Sequence, residues 1–184
     1  MIRYTLDPAA SRFTVQAFVS GMLSGLGHSP IFAIREFTGE LRFAPDSPGE
    51  GSFRLTVKTD SLAVTDSVSP KDRNEIVSRM RQEVLETATY PEIVFQSTQM
   101  TADKIADGWY RLQLAGELRL HGVMKPHKLD TQLRLADDQA RLSGQCTLLQ
   151  SAYRIKPVTA LAGMIQLKDE LKFDFDLVGQ KQAE

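Results

Sequence analysis

The chain is poor in the residues that build metal and redox sites. Among 184 residues it has a single cysteine, Cys146, and three histidines. One cysteine cannot form an intramolecular disulfide, and it excludes a cysteine-rich zinc site. Cys146 lies on the apolar side of an alternating segment. We therefore expect a buried and unreactive thiol there.

The chain also lacks an excess of charge of either sign. Its 22 lysines and arginines nearly balance 23 aspartates and glutamates, for a net charge of −1. Such a chain has no strong field to attract nucleic acid or an anionic membrane surface. We therefore expect no nucleic-acid partner.

Long apolar runs are missing as well. No segment approaches the roughly 20 apolar residues that a membrane-spanning helix needs. A secretory signal requires an uninterrupted apolar stretch near the N-terminus, but Asp7 and Pro8 interrupt the chain there, followed by Ser11 and Arg12. We expect no integral membrane segment and a cytoplasmic location, or a periplasmic one if a leader was removed.

The dominant positive feature is an alternation of apolar and polar residues. It recurs in eight segments, at residues 13–19, 37–43, 53–58, from 93 onward, 112–120, 128–135, 141–148 and 171–177. Alternation with a period of two gives each strand one buried and one solvated face, which is typical of antiparallel sheets. Residues 1–184 are expected to form one domain, because this length and a hydrophobic content of 42% suit a single core.

One helix interrupts the alternating segments, at about residues 70–86. Ser69 has the character of an N-cap, Pro70 occupies the first helical position, and Asp72 completes a capping-box-like arrangement. Beyond this start, apolar residues recur every four positions, at Ile76, Met80 and Val84. The helix is therefore amphipathic, and we expect it to cover an apolar surface.

Eight antiparallel strands can form a sandwich or a barrel, and a barrel of about eight strands is either filled by side chains or holds one small ligand. We predict an all-β fold, an eight-stranded antiparallel lipocalin-like β-barrel with the helix inserted between strands. Seven of the nine phenylalanines lie on the apolar side of their segments. Core packing is the ordinary role of such residues, while lining a ligand cavity is the functional alternative. The candidate lining residues are Phe13, Val15, Phe37, Leu41, Phe43, Phe53, Leu55, Ile93, Phe95, Leu114, Leu133, Phe173 and Phe175.

Four segments carry a resemblance to a known family. They are Tyr4-Thr5-Leu6-Asp7 with Ser11-Arg12-Phe13, Phe37-Thr38-Gly39-Glu40-Leu41, Tyr90-Pro91-Glu92-Ile93-Val94-Phe95-Gln96-Ser97, and Gly116-Glu117-Leu118 with His121-Gly122-Val123 and Lys125-Pro126. In order and spacing the chain resembles the YceI-like proteins, also called polyisoprenoid-binding proteins. The resemblance implies a lipocalin-like barrel, with a helix near its mouth, that holds a long isoprenoid or a similar amphiphile.

Few polar residues are candidates for a site. His28, in a glycine-bounded turn, and Arg35, beside a predicted strand, could contact a ligand headgroup at the rim, although solvent exposure is the ordinary fate of both. His121 and His127 flank a turn and could share a zinc ion if the hairpin brings them together. Their spacing is not that of a metal site, so we expect both to be solvated and predict no metal and no cofactor.

Three functions remain open from the sequence. The favoured one is binding, storage or transport of a long-chain apolar or amphiphilic small molecule in the barrel lumen, with Ile76, Met80 and Val84 as a helical lid. A second is an isomerase or lyase that uses the same cavity, but the sequence shows no matched acid–base pair, so we predict no catalytic residue and no enzyme. The third is a structural or stress-related module with a filled core. A homodimer is left open.

Overall fold

The computed structural model describes residues 1–20, 29–160 and 165–183. Within those ranges, α1 (Pro70–Arg79) continues into a π-helical turn at Met80–Val84. Short 3-10 turns lie at Pro48–Glu50, Thr59–Ser61 and Gln150–Tyr153. The strands are β1 (Ile2–Ser20), β2 (Ile31–Ile34), β3 (Phe37–Phe43), β4 (Ser52–Lys58), β5 (Leu62–Val64), β6 (Glu92–Ala106), β7 (Trp109–Leu120), β8 (Val123–Ala136), β9 (Gln139–Leu149), β10 (Thr159–Ala160) and β11 (Ile165–Lys181).

Eight of these strands close into an antiparallel barrel. Their order around the sheet is β1, β3, β4, β6, β7, β8, β9 and β11. Closure comes from β11, which pairs back with β1 from Tyr4↔Lys181 to Ser20↔Gln166. Each of the eight alternating segments of the sequence lies on one of these strands, so the predicted fold class is confirmed. The short strands β2, β5 and β10 were not predicted, and they extend the sheet beside β1 and β11.

An irregularity in β1 changes which residues face the lumen. The pairing of β1 with β11 shifts register between Asp7 and Arg12. Asp7 Oδ1 accepts the Ala9 N–H at 2.9 Å, and Ser11 Oγ accepts the Val178 N–H at 2.9 Å. These contacts stabilise the bulge. Even-numbered residues of β1 are buried before it and odd-numbered residues after it, which explains why regular alternation begins only at residue 13.

One end of the barrel, which we call the packed end, is filled by side chains. Phe43 and Tyr110 pack edge to face there, with ring centroids 5.0 Å apart. The inner-face side chains at this end are almost completely buried, and the largest are Leu41, Phe43, Phe53, Met100, Leu112, Leu114, Leu133, Leu142 and Leu177. This part of the lumen is therefore a hydrophobic core with no room for a ligand.

The helix lies across the opposite end, which we call the open end. Ser69 Oγ accepts the Asp72 N–H at 3.1 Å, as the sequence predicted for the N-cap. Beyond the helical start, Arg73 Nη2 donates to the Asp66 carbonyl at 2.9 Å, and Arg81 Nη2 donates to the Asp60 carbonyl at 2.6 Å. These bonds attach the helix to the chain around β5. Among the described residues, no helix is both long and apolar enough to cross a membrane.

Candidate functional site: a lumen open at one end

The lumen contains a cavity of about 290 Å³ at the open end, which we call the mouth cavity. It is lined by Val15, Ala17, Val19, Pro30, Phe32, Leu62, Ile76, Arg79, Met80, Val84, Leu85, Gln150, Val158, Leu167 and Leu171. The described part of this lining is apolar apart from Arg79 and Gln150, and both of these side chains have partners. Arg79 Nε lies 3.2 Å from Glu83 Oε2, and Gln150 Nε2 donates to the Lys168 carbonyl at 2.9 Å.

Three layers of structure form the mouth cavity. The first is the inner face of β1, where Ala17 lies opposite Leu171 of β11 in register. The second is the short strand pair β2 and β5, which contributes Phe32 and Leu62. The third is the helix and its π-helical turn, which contribute the predicted lid residues Ile76, Met80 and Val84. All three predicted lid positions therefore border the cavity.

A second cavity of about 80 Å³, which we call the inner cavity, follows the first along the same strands. Phe13 lines it two residues before Val15 on β1, and Phe173 lines it two residues after Leu171 on β11. At about 3.3 Å per residue, the stretch of β1 from Val19 to Phe13 is roughly 20 Å long. The inner cavity is lined by Phe13, Ile34, Leu55, Val57, Ile93, Phe95, Leu118, Leu120, His127, Leu129, Cys146, Leu148, Phe173 and Phe175.

The structure divides the predicted lining residues into two groups. Those that border one of the two cavities are Val15 in the mouth cavity and Phe13, Leu55, Ile93, Phe95, Phe173 and Phe175 in the inner cavity. Those that are buried in the core and line neither cavity are Phe37, Leu41, Phe43, Phe53, Leu114 and Leu133. For the second group, a role in lining a bound ligand stays a prediction. These side chains face inward as predicted, but they pack in the core and border neither of the two lumen cavities.

Of the two predicted rim residues, only Arg35 lies in the described part of the chain. Arg35 is exposed in the connection between β2 and β3 and borders neither cavity. The ordinary alternative for Arg35, exposure to solvent, is therefore what the structure shows. His28 lies outside the described residues.

His121 is not solvated, contrary to expectation. Its side chain is only 9% exposed, and its Nε2 lies 2.7 Å from Glu86 Oε2. Its Nδ1 lies 3.3 Å from the Tyr153 carbonyl, and its ring centroid is 4.3 Å from that of Tyr90. His121 therefore joins the β7–β8 turn to the segment after the helix and to the turn after β9. Within the described part of the chain, no group of three or more metal-ligating side chains comes together.

His127 is partly buried rather than solvated, and it was not predicted to lie in the lumen. It lies on the inner face of β8, opposite Gly116 of β7, and borders the inner cavity. Its Nε2 is buried and has no hydrogen-bond partner among the described residues. Burial lowers the pKa of this imidazole, which favours the neutral ring. The alternation along β8 could have predicted this position, because His127 has the same parity as the inward-facing Leu129 and Leu133.

Cys146 borders the same cavity from β9. Burial raises the pKa of its thiol to about 11, so it is protonated at neutral pH. This agrees with the inert thiol expected from the sequence. The described linings of the two cavities include no carboxylate, and their polar side chains are Arg79, His127, Cys146 and Gln150. Such an arrangement suits the binding of an apolar molecule.

Comparison with known proteins identifies the family. The family model of the YceI-like domain matches residues 4–179. The chain belongs to the YceI-like family. It is 29% identical to Protein YceI of Escherichia coli O157:H7 over 118 residues, which is 64% of this chain and 56% of that protein. It is 27% identical to UPF0312 protein ECA1782 of Pectobacterium atrosepticum over the same share of each chain. The matched region thus spans little more than half the length of these curated relatives.

Solved structures of similar architecture extend the comparison of the fold. BcnA of Burkholderia cenocepacia superposes with a TM-score of 0.71 at 17% identity, covering 94% of this chain and 98% of that one. A polyisoprenoid binding domain from Saccharophagus degradans gives 0.68 at 15% identity, with 99% and 100% covered. The YCEI protein of Campylobacter jejuni gives 0.59 at 16% identity, with 82% and 84% covered. The YceI-like barrel is therefore the fold of this chain.

Proposed function

We propose that this YceI-like domain binds an elongated apolar or amphiphilic small molecule, such as an isoprenoid-like lipid, and acts as its carrier or store. The observation that carries the proposal is the apolar mouth cavity of about 290 Å³ in a barrel whose other end is solid. Small-molecule sites in proteins usually measure about 300–1,000 Å³. The mouth cavity is at the lower end of that range, and the inner cavity extends it along β1 and β11.

The shape of the lumen favours a chain over a compact molecule. The two cavities follow one another past Val15 and Phe13, so a flexible chain can occupy both. Each buried methylene contributes roughly 0.8 kcal/mol, so eight to ten would contribute about 6–8 kcal/mol before the cost of ordering the chain. The affinity should therefore increase with chain length until both cavities are full.

The polar groups at the open end support a ligand whose buried part carries no charge. Among the described residues, Arg79 is the cation that lines the mouth cavity, and it is already paired with Glu83 at 3.2 Å. A buried ligand charge would need a free partner of opposite sign. Family membership supports the same function, because a structurally similar protein of Saccharophagus degradans is a polyisoprenoid binding domain.

Lipid extraction and a chain-length series test the proposal. Purified protein is extracted with organic solvent and analysed by mass spectrometry, and delipidated protein is then titrated with linear alcohols of increasing length. We expect near-stoichiometric lipid or an affinity that increases with length and then reaches a plateau. If the extract is empty and neither short nor long alcohols bind, the carrier function is wrong, and the barrel is a module with a filled core.

A further inference from the structure

Strands β8 and β9 separate in the half of the barrel nearer the open end. They pair from Ala136↔Gln139 to Thr131↔Gly144, and the pairing stops there. In the described structure, the part of β8 before Thr131 pairs with β7 alone, and the part of β9 after Gly144 pairs with β11 alone. The barrel wall therefore has a gap, bounded by residues 123–130 on one side and residues 145–149 on the other.

Side-chain burial changes where the strands separate. In the paired part, the inner-face residues Leu133 and Leu142 lie opposite each other and are 0% and 2% exposed. Beside the gap, the inner-face residues His127 and Cys146 are partly exposed. Pro126 lies in the part of β8 that does not pair with β9, and within sheets proline is confined mainly to strand edges. Side-chain exposure and the position of Pro126 therefore both agree with the gap that the backbone pairing shows.

The gap adjoins an unsatisfied polar atom. His127 borders the inner cavity, and its buried Nε2 has no hydrogen-bond partner among the described residues. Buried polar atoms are nearly always hydrogen-bonded, because an unsatisfied one loses its interactions with water. Gly116, opposite His127 in register, has no side chain that could supply a partner. A bound molecule in the inner cavity is therefore the natural partner of Nε2.

We propose that His127 Nε2 hydrogen-bonds an uncharged oxygen of the bound molecule, a hydroxyl or a carbonyl, which lies at the gap between β8 and β9. This inference rests on the proposed function. It places the polar group of the ligand inside the barrel wall, with the apolar chain extending past Phe13 and Val15 into the mouth cavity. The ligand class is then a long-chain alcohol, ketone or ester.

The environment of His127 explains why the oxygen is uncharged. The described lining of the inner cavity includes no lysine, arginine or carboxylate, and its polar members are His127 and Cys146. An anionic group placed there would be desolvated and held by a single neutral donor, which is strongly unfavourable. A neutral imidazole nitrogen can donate to a carbonyl or accept from a hydroxyl, depending on the tautomer.

Matched eight-carbon probes test the proposal. Octanol, octane and octanoate are titrated into the delipidated protein, its His127→Leu variant and the control variant Leu129→Met. Leu129 lies two residues from His127 on the same inner face, and the Met substitution conserves its volume. We expect His127→Leu to weaken octanol binding about five- to tenfold, the effect of one hydrogen bond, with little effect on octane. Leu129→Met should change the affinities for octanol and for octane by the same factor.

A spectroscopic measurement locates the contact directly. The nitrogen-15 resonances of His127, assigned by their loss in His127→Leu, should shift when octanol binds to the wild-type protein and stay in place when octane binds. Equal loss of octanol and octane affinity in His127→Leu would contradict the proposal and leave the proposed function intact. Octanoate binding more tightly than octanol through His127 would contradict the uncharged ligand. If no probe binds, both proposals fail.

Discussion

Two substitutions of alanine by leucine distinguish the open end of the barrel from its packed end. Ala17 is 5% exposed on the inner face of β1 and borders the mouth cavity. Ala140 is 2% exposed on the inner face of β9 and borders neither cavity. The same three carbon atoms are therefore added to an open space at residue 17 and to a filled core at residue 140.

The two substitutions should change stability in opposite directions. In Ala17→Leu, three additional buried carbons at roughly 0.8 kcal/mol each can stabilise the free protein by up to about 2 kcal/mol. Because the leucine occupies space that the ligand would fill, it should weaken ligand binding by a similar energy, roughly 30-fold in Kd. In Ala140→Leu, the core must shift to admit the side chain, which should destabilise the protein by about 1–3 kcal/mol.

Urea unfolding and ligand titration measure both effects. With a typical slope of about 2 kcal/mol per molar urea, the midpoint should rise by up to about 1 M in Ala17→Leu. In Ala140→Leu the midpoint should fall by about 0.5–1.5 M with an unchanged slope. Equal destabilisation by both substitutions would show that the mouth cavity is closed in solution. Stabilisation by Ala17→Leu without weaker ligand binding would show that the ligand binds elsewhere.

Three further predictions concern single side chains of the lumen. Phe95→Asp would bury an unpaired carboxylate on the inner face of β6 and should abolish folding or ligand binding. The control Gln96→Glu, which lies opposite Arg54 in register, should affect neither, and thermal melting with ligand titration checks both variants. Cys146 should react with iodoacetamide at pH 7.5 roughly a hundredfold more slowly than an ordinary thiol, because burial raises its pKa from 9.0 to about 11; a normal rate would contradict the burial. Burial lowers the pKa of His127 below 6.5 in the folded protein, so this residue is protonated more readily in the unfolded chain, and the free energy of unfolding should fall as the pH drops below 6.5. Between pH 7 and pH 5 this free energy should decrease less in His127→Leu than in the wild type, and equal decreases would refute the prediction.

The sequence predicts the barrel because its alternation reports the environment of each strand. Leu133, for example, shares the parity of Leu129 and Leu135 on β8, which predicts that it faces inward, and the structure confirms that orientation. The capped helix was predictable for a similar reason, since Ser69 and Asp72 form a local contact that needs no tertiary information. Local patterns thus determine both the strands and the helix start.

The division of the lumen could not be predicted from alternation. Leu41 and Leu55 have the same residue type and the same inward orientation, yet Leu41 is packed and Leu55 borders the inner cavity. Free volume depends on which side chains meet across the barrel, and that is set by register and by the bulge between Asp7 and Arg12. These long-range features have no counterpart in a local pattern.

Short elements and isolated polar residues were missed for related reasons. Phe32 and Leu62, which border the mouth cavity, lie in strands of four and three residues that are too short to show a period. His127 was expected to be solvated because histidine near a turn usually is, but its place on the inner face of β8 overrides that tendency. The gap between β8 and β9 was also not predicted, and Pro126 was the one sequence signal that pointed to it.

The most direct test of a ligand-binding lumen is a crystal structure of the domain with a bound long-chain alcohol. We expect continuous ligand density in the mouth cavity, in contact with Val15, Met80 and Leu171, extending towards Phe13 in the inner cavity. Density confined to the outer surface of the barrel, or a mouth cavity closed by side chains in the presence of saturating alcohol, would contradict the account.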